Sequence, residues 1–138
     1  MIYAVIDTNV FVSALLSRHA DASTVKVVEA FQERKFKLLF NRDIFKEYYD
    51  VLHRPRLKLP EEKVQKLISQ IGSDGIASNR LHSDEFFPDP KDVVFYEVAL
   101  SKEDAFLVTG NIKHFPQKPI VVTPAEMLEI LKREGIHI

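Results

Sequence analysis

The sequence predicts an α/β fold in which a parallel sheet carries helices on its faces. Three observations point there. Short β-like runs alternate with longer runs of helical periodicity. Two of the β-like runs stop abruptly at polar triplets, Asp7-Thr8-Asn9 and Thr109-Gly110-Asn111. The chain has 138 residues and is 46% hydrophobic, enough for one ordinary core, so a single domain over residues 1–138 is expected.

The first strand is Ile2-Tyr3-Ala4-Val5-Ile6, and a short helix follows it through Leu16. Ser23 reads as the cap of a second helix whose stripe holds Val25, Val28 and Phe31. Phe36 to Phe40 is the second strand. Asn41 caps a third helix from Arg42 to about Leu52, ended by Pro55. Pro60-Glu61-Glu62 opens a fourth helix, with Val64, Leu67, Ile68 and Ile71 at helical spacing, which Gly72 and Gly75 are expected to break. Ile76 to Leu81 is a weak edge strand. Asp89-Pro90 starts a nearly all-apolar helix, Ala105 to Thr109 is the next strand, and Ile120 to Val122 the last. Thr123-Pro124-Ala125-Glu126 has the form of a capping box with Pro at the first helical position, opening a terminal helix. Every connection is read as short.

The bulk numbers narrow the function classes. With 19 basic and 20 acidic residues the chain lacks the strongly basic footprint of a nucleic-acid coating protein, although a local basic rim is compatible with the balance. The absence of cysteine excludes disulfides and thiolate metal sites and fits a reducing interior. No apolar run approaches the roughly 18 residues of a membrane helix, so a soluble cytoplasmic protein is expected.

Three acids stand where chemistry gathers. Asp7 lies at the carboxyl end of a strand, where open parallel sheets place their ligand crevice, although Asp7, Thr8 or Asn9 could equally cap the helix that follows. Glu47 falls on the border of the apolar arc of Ile44, Phe45, Tyr48, Tyr49 and Leu52, able to face a cleft or simply water. Asp92 shares a face with Phe95, Tyr96 and Ala99 at the start of a helix that must be largely buried. One of Asp89 and Asp92 can cap that helix, and the inward direction of Asp92 leaves it free for function. If the three carboxylates meet in one small volume, their repulsion calls for a cation, and oxygen ligands without cysteine select Mg²⁺ or Mn²⁺.

These residues resemble the PIN-domain ribonucleases, most closely the VapC-like toxin components of toxin–antitoxin pairs. The resemblance rests on Val5-Ile6-Asp7-Thr8-Asn9-Val10, Glu47, Asp89-Pro90-Lys91-Asp92 leading to Ala99-Leu100, and Leu107-Val108-Thr109-Gly110-Asn111 followed by His114-Phe115. It implies an α/β/α sandwich around a parallel sheet of four to five strands. It also implies a metal-dependent endoribonuclease in which Asp7, Glu47 and Asp92 bind Mg²⁺ or Mn²⁺, while Thr8, Asn9 and Thr109 orient the cluster or the phosphate. Asn111 stands where many members carry a further aspartate; its amide can still ligate, but a charge is lost and the case for a second metal weakens. On this reading a metal-bound water or hydroxide attacks an RNA phosphodiester in line, Asp7 and Asp92 anchor the ion, and Glu47 is a ligand or the orienting base.

Arg42, Lys46, Lys91 and Lys113, with Arg54, Arg56, Lys58 and His114, flank the expected site and could hold phosphates without reading sequence. If the toxin resemblance holds, a small antitoxin would cover the crevice and the protein would form a homodimer. Leu15, Leu16, Phe86 and Phe87 are assigned to core rather than interface. Two rival classes are a catalytically weak or inactive domain that binds RNA or a protein partner, and a phospho-accepting signalling domain. Retention of all three carboxylates opposes the first, and the single acid after Ile6 opposes the second.

Overall fold

The computed structural model describes all residues, Met1 to Ile138. Its centre is a five-stranded sheet built from β1 (Tyr3–Ile6), β2 (Lys37–Phe40), β3 (Ile76–Ala77), β4 (Phe106–Val108) and β5 (Val121–Val122). The strand order is β3-β2-β1-β4-β5 and every pairing is parallel. The chain therefore starts at the middle of the sheet, winds outward to β3, and returns to lay β4 on the other side of β1. That reversal makes the carboxyl ends of β1 and β4 the topological switch point.

The helices are α1 (Thr8–Leu16), α2 (Ser23–Gln32), α3 (Arg42–Leu52), α4 (Glu61–Asp74), α5 (Val93–Leu100) and α6 (Pro124–Arg133). α2 packs on α1 and α6, α3 packs on α1, α4 and α5, and α5 lies across β1, β2 and β4. This is the expected α/β sandwich. A continuous core fills it, with Ala4, Val5, Phe11, Leu38, Leu39, Ile44, Tyr48, Leu67, Ile71, Phe95, Val98 and Leu107 among its fully buried side chains. None of the helices is long and apolar enough to cross a membrane.

Local signals hold where they span only a few residues. The Asn41 side chain accepts from the Ile44 N–H at 2.9 Å, and Thr123 and Glu126 form the reciprocal capping box. Other expectations need correction. α4 runs straight through Gly72, because its buried stripe of Val64, Leu67, Ile68 and Ile71 outweighs the roughly 1 kcal/mol that a helical glycine costs. It stops at Gly75, where a Cβ would sit 2.5 Å from the Ile71 carbonyl oxygen and 2.7 Å from the Phe40 ring, so no side chain fits. The edge strand shrinks to Ile76–Ala77, and residues 78–89 form a long connection without helix or strand, contrary to the expectation of short links throughout. Pro90–Asp92 is a 3₁₀ turn, and α5 begins only at Val93. Phe87 joins the core, but Phe86 is 83% and Leu16 51% exposed, so neither is the core residue expected.

Candidate active site

Asp7 follows β1 directly, at the switch point. It occupies the N-cap position of α1 but makes no side-chain cap hydrogen bond. Instead its carboxylate accepts from the Thr109 hydroxyl at 2.8 Å, across 102 residues of sequence. Thr109 ends β4, so one hydrogen bond joins the two strand ends that flank the crevice. The Thr109 oxygen also accepts from the Asn111 N–H at 2.9 Å, and the Asn9 side chain accepts from the Gly110 N–H at 3.3 Å, fixing the turn after β4 against the start of α1. Asp7 is only 6% exposed. Burial, reinforced by the charges of Asp92 and Glu47, pushes its carboxyl up from 3.8 to about 6, against the pull of the Thr109 hydroxyl.

Glu47 is held by α3 on the border between its buried and exposed faces. Its carboxylate accepts a hydrogen bond from the Thr8 hydroxyl in the first turn of α1. Its neighbour Tyr48 is buried and donates its hydroxyl to the Ile6 carbonyl, the last of β1. The two bonds seat α3 on the end of β1 from adjacent positions. Burial, then the charges of Asp7 and Glu47, raises the Tyr48 phenol well above its ordinary range, so it serves only as a neutral donor.

Asp89 and Asp92 both line the groove, and geometry separates their capping roles. The Asp89 side chain accepts from the Lys91 N–H at 3.0 Å and caps the 3₁₀ turn. Asp92 makes no cap bond, and its buried Oδ2 lacks a hydrogen-bond partner, with His114 Nδ1 lying 3.5 Å away. Burial raises the Asp92 carboxyl, as do Asp89 and Glu47, while His114 opposes them.

Asp7, Glu47 and Asp92 all line one open groove of about 820 Å³, together with Thr8, Asn9, Asn111 and His114. They do not crowd into the small common volume that the sequence suggests. No three acidic or histidine side chains draw close enough to share an ion, because each acid is turned toward its own neighbour, Thr109, Thr8 or His114. Of the cations expected to flank the site, some reach the groove and some do not. Lys91, Arg54 and Arg56 line the groove, while Arg42, Lys46, Lys58 and Lys113 do not, and Lys46 is paired with Asp50 at 2.7 Å. Proximity in sequence to the acids is a poor guide here, since successive side chains on a helix point about 100° apart around its axis, so a neighbour in sequence faces elsewhere.

Two polar elements escaped the sequence reading. Tyr48 is hidden among apolar neighbours of the same arc. Glu97 sits inside α5, which looks wholly apolar, and is buried. Its carboxylate accepts from Arg80 at 2.7 Å and from the Ser83 N–H at 2.7 Å, and the Leu81 N–H bonds the Glu97 carbonyl. Burial alone would raise the Glu97 carboxyl, but Ser83, Arg80 and His82 together hold it below its ordinary value. Glu97 thus straps the connection 78–89 onto α5, and that connection delivers Asp89 and Asp92. A lone glutamate in an apolar helix was the signal.

Asp7 is thus an acid buried at the switch point of a parallel sheet, in a groove that Lys91, Arg54 and Arg56 also line. The family model described as PIN domain matches residues 3–113, and the chain belongs to the PIN-domain family, whose members are generally nucleases. No curated protein matches the chain. The donors suit the divalent metals that PIN domains typically use: they are oxygens without cysteine, and the buried Asp92 Oδ2 has no donor of its own.

Proposed function

We propose that the protein is an endoribonuclease dependent on Mg²⁺ or Mn²⁺ that hydrolyses RNA phosphodiester bonds, the toxin of a toxin–antitoxin pair of the VapC-like type. The observation that carries this reading is the placement of Asp7: buried, joined to Thr109 across the β1 and β4 strand ends, and facing the groove that Glu47 and Asp92 also line. Burial of the Asp7 carboxylate is costly, the charges of Asp92 and Glu47 add to the cost, and a cation would offset it.

Asp7 and Asp92 would hold the ion, with Glu47 as a further ligand or as the base that orients the attacking water. When bound, such an ion polarises a phosphoryl oxygen and lowers the pKa of water beside it. The chain's own groups do the rest. Thr109 keeps the Asp7 carboxylate aimed into the groove, and Thr8 does the same for Glu47. Lys91, Arg54 and Arg56 neutralise phosphates of the strand on either side of the acids. Breaking the P–O3′ bond in this way leaves a 5′-phosphate and needs no 2′-hydroxyl.

On this reading residues 1–138 act as one nuclease unit in the cytoplasm, as a homodimer, and a cognate antitoxin covers the groove. Asn111, on the groove with its N–H given to Thr109, supplies no charge to a second ion. The second reading, a domain that binds RNA or a protein without cutting, draws on the separation of the carboxylates. The test is incubation of the purified protein with a structured and a single-stranded RNA in Mn²⁺, Mg²⁺ or EDTA, beside an Asp7→Asn, Asp92→Asn double variant. Cleavage that needs metal and that the variant loses is the expected result. Intact RNA with every metal, from folded protein, transfers the assignment to the non-cutting reading.

A further inference from the structure

The groove is not acidic along its whole length. At one end α1 and α3 are pinned together by the Thr8–Glu47 hydrogen bond. Beyond that bond the lining changes character. Val12 and Leu16 follow Thr8 on one face of α1 at four-residue steps, Val51 follows Glu47 on α3 at the same step, and Leu57 comes from the 3₁₀ turn after α3. With a rise of about 1.5 Å per residue, Val12 and Leu16 lie about 6 and 12 Å along α1 from Thr8. Leu16 is half exposed, so it is presented to the groove, while Val51 and Leu57 are part-buried and Val12 also packs on the core. Arg54 and Arg56 line the groove with it, whereas Lys91 and His114 line it from the chain around Asp92.

The groove thus joins apolar side chains and arginines to its acidic end. We propose that the apolar bank of Val12, Leu16, Val51 and Leu57, beside Arg54 and Arg56, seats the base of an unpaired nucleotide adjacent to the phosphate held at the acidic end. The inference rests on the nuclease reading for the identity of the polymer. The acids repel a polyanion, so the arginines beyond the bank supply the grip that directs the strand along α1. In a duplex the base faces are covered by their stacking neighbours, and only a splayed, single-stranded nucleotide offers one to a bank of this kind. Polyanion grip at the arginines favours RNA over a peptide as the occupant.

The test measures binding and cleavage separately, with a fluorescein-labelled single-stranded RNA 12-mer and the same oligomer carrying abasic ribose units. Wild-type protein, Leu16→Ser and Leu16→Phe are compared; the half-exposed position lets both variants fold, which circular dichroism verifies. From the apolar area that covering one base face removes from water, the wild type is expected to bind the intact oligomer about tenfold more tightly than the abasic one, Leu16→Ser to lose that difference, and Leu16→Phe to keep it. Where cleavage occurs, Leu16→Ser should raise KM with kcat unchanged on intact RNA and leave both unchanged on abasic RNA. Equal affinity of the wild type for the two oligomers, or binding of neither, overturns the proposal and leaves the bank to a protein segment. Base-dependent binding without cleavage supports the bank while removing the nuclease reading, so the two failures are distinct.

Discussion

Replacing Asp7 by asparagine in metal-free protein is expected to stabilise the fold while abolishing its chemistry. The Asp7 carboxyl is raised from 3.8 to about 6 by burial and by the charges of Asp92 and Glu47, so the folded protein binds this proton more tightly than the unfolded chain does. An acid shifted in this direction destabilises the fold when charged. The penalty is complete above about pH 6, shrinks as pH falls from there toward 3.8, and is absent below it. A shift of about two units corresponds to about 3 kcal/mol at neutral pH. Asparagine carries no charge at any pH, and its amide oxygen can still accept from the Thr109 hydroxyl. Urea unfolding in EDTA should therefore find Asp7→Asn more stable than wild type by about 2–3 kcal/mol near pH 8, and by almost nothing near pH 4. In a chain of this size the neutral-pH gain amounts to roughly 10 °C in Tm. A variant no more stable than wild type near pH 8, or an advantage that persists undiminished on acidification, would refute the reasoning, because the ionisation of Asp7 is what the substitution removes. Stability withheld at a buried acid is the trade expected of the role proposed for Asp7.

Three other outcomes are expected. Tyr48→Phe removes the donor that satisfies the Ile6 carbonyl, and chemical denaturation should register a loss of about 1–3 kcal/mol for that unsatisfied buried group. Thr109→Val keeps the shape but removes the hydroxyl that favours ionised Asp7, so Asp7 should titrate still higher, and the acid limb of the pH–rate profile for cleavage should move to higher pH. Glu97→Ala frees Arg80 and the Ser83 amide together; the cost should be about 2–3 kcal/mol, and hydrogen exchange should show the amides of residues 78–89 losing protection before those of α5.

Segments whose cause lies within a few residues were legible in the chain. Asn41 and Thr123 announce helix starts because cap donor and acceptor stand three positions apart, and the apolar runs at Tyr3–Ile6 and Phe106–Val108 announce buried parallel strands. The break expected at Gly72 failed because propensity yields to a buried stripe, and of the expected basic rim Arg54, Arg56 and Lys91 reach the groove while Arg42, Lys46, Lys58 and Lys113 do not, because sequence proximity does not give side-chain direction. Glu97 and Tyr48 were invisible for a related reason: their polar atoms are satisfied by partners 14 and 42 residues away.

The sequence by itself determined the strand ends and offered three acids as candidates: Asp7 from the change of an apolar run to a polar triplet, Glu47 from the border of its helix's apolar arc, and Asp92 from the face it shares with Phe95, Tyr96 and Ala99, each a local signal. Only the tertiary structure decided which donor each acid faces and that the three do not close on a common point. Asp7 meets Thr109 over 102 residues because the order β2-β1-β4 makes distant strands neighbours, and Glu47 meets Thr8 because α3 packs on α1. Such pairings are set by burial of the sheet and helix faces as a whole, a term that sums over the entire core and leaves no mark at any one position.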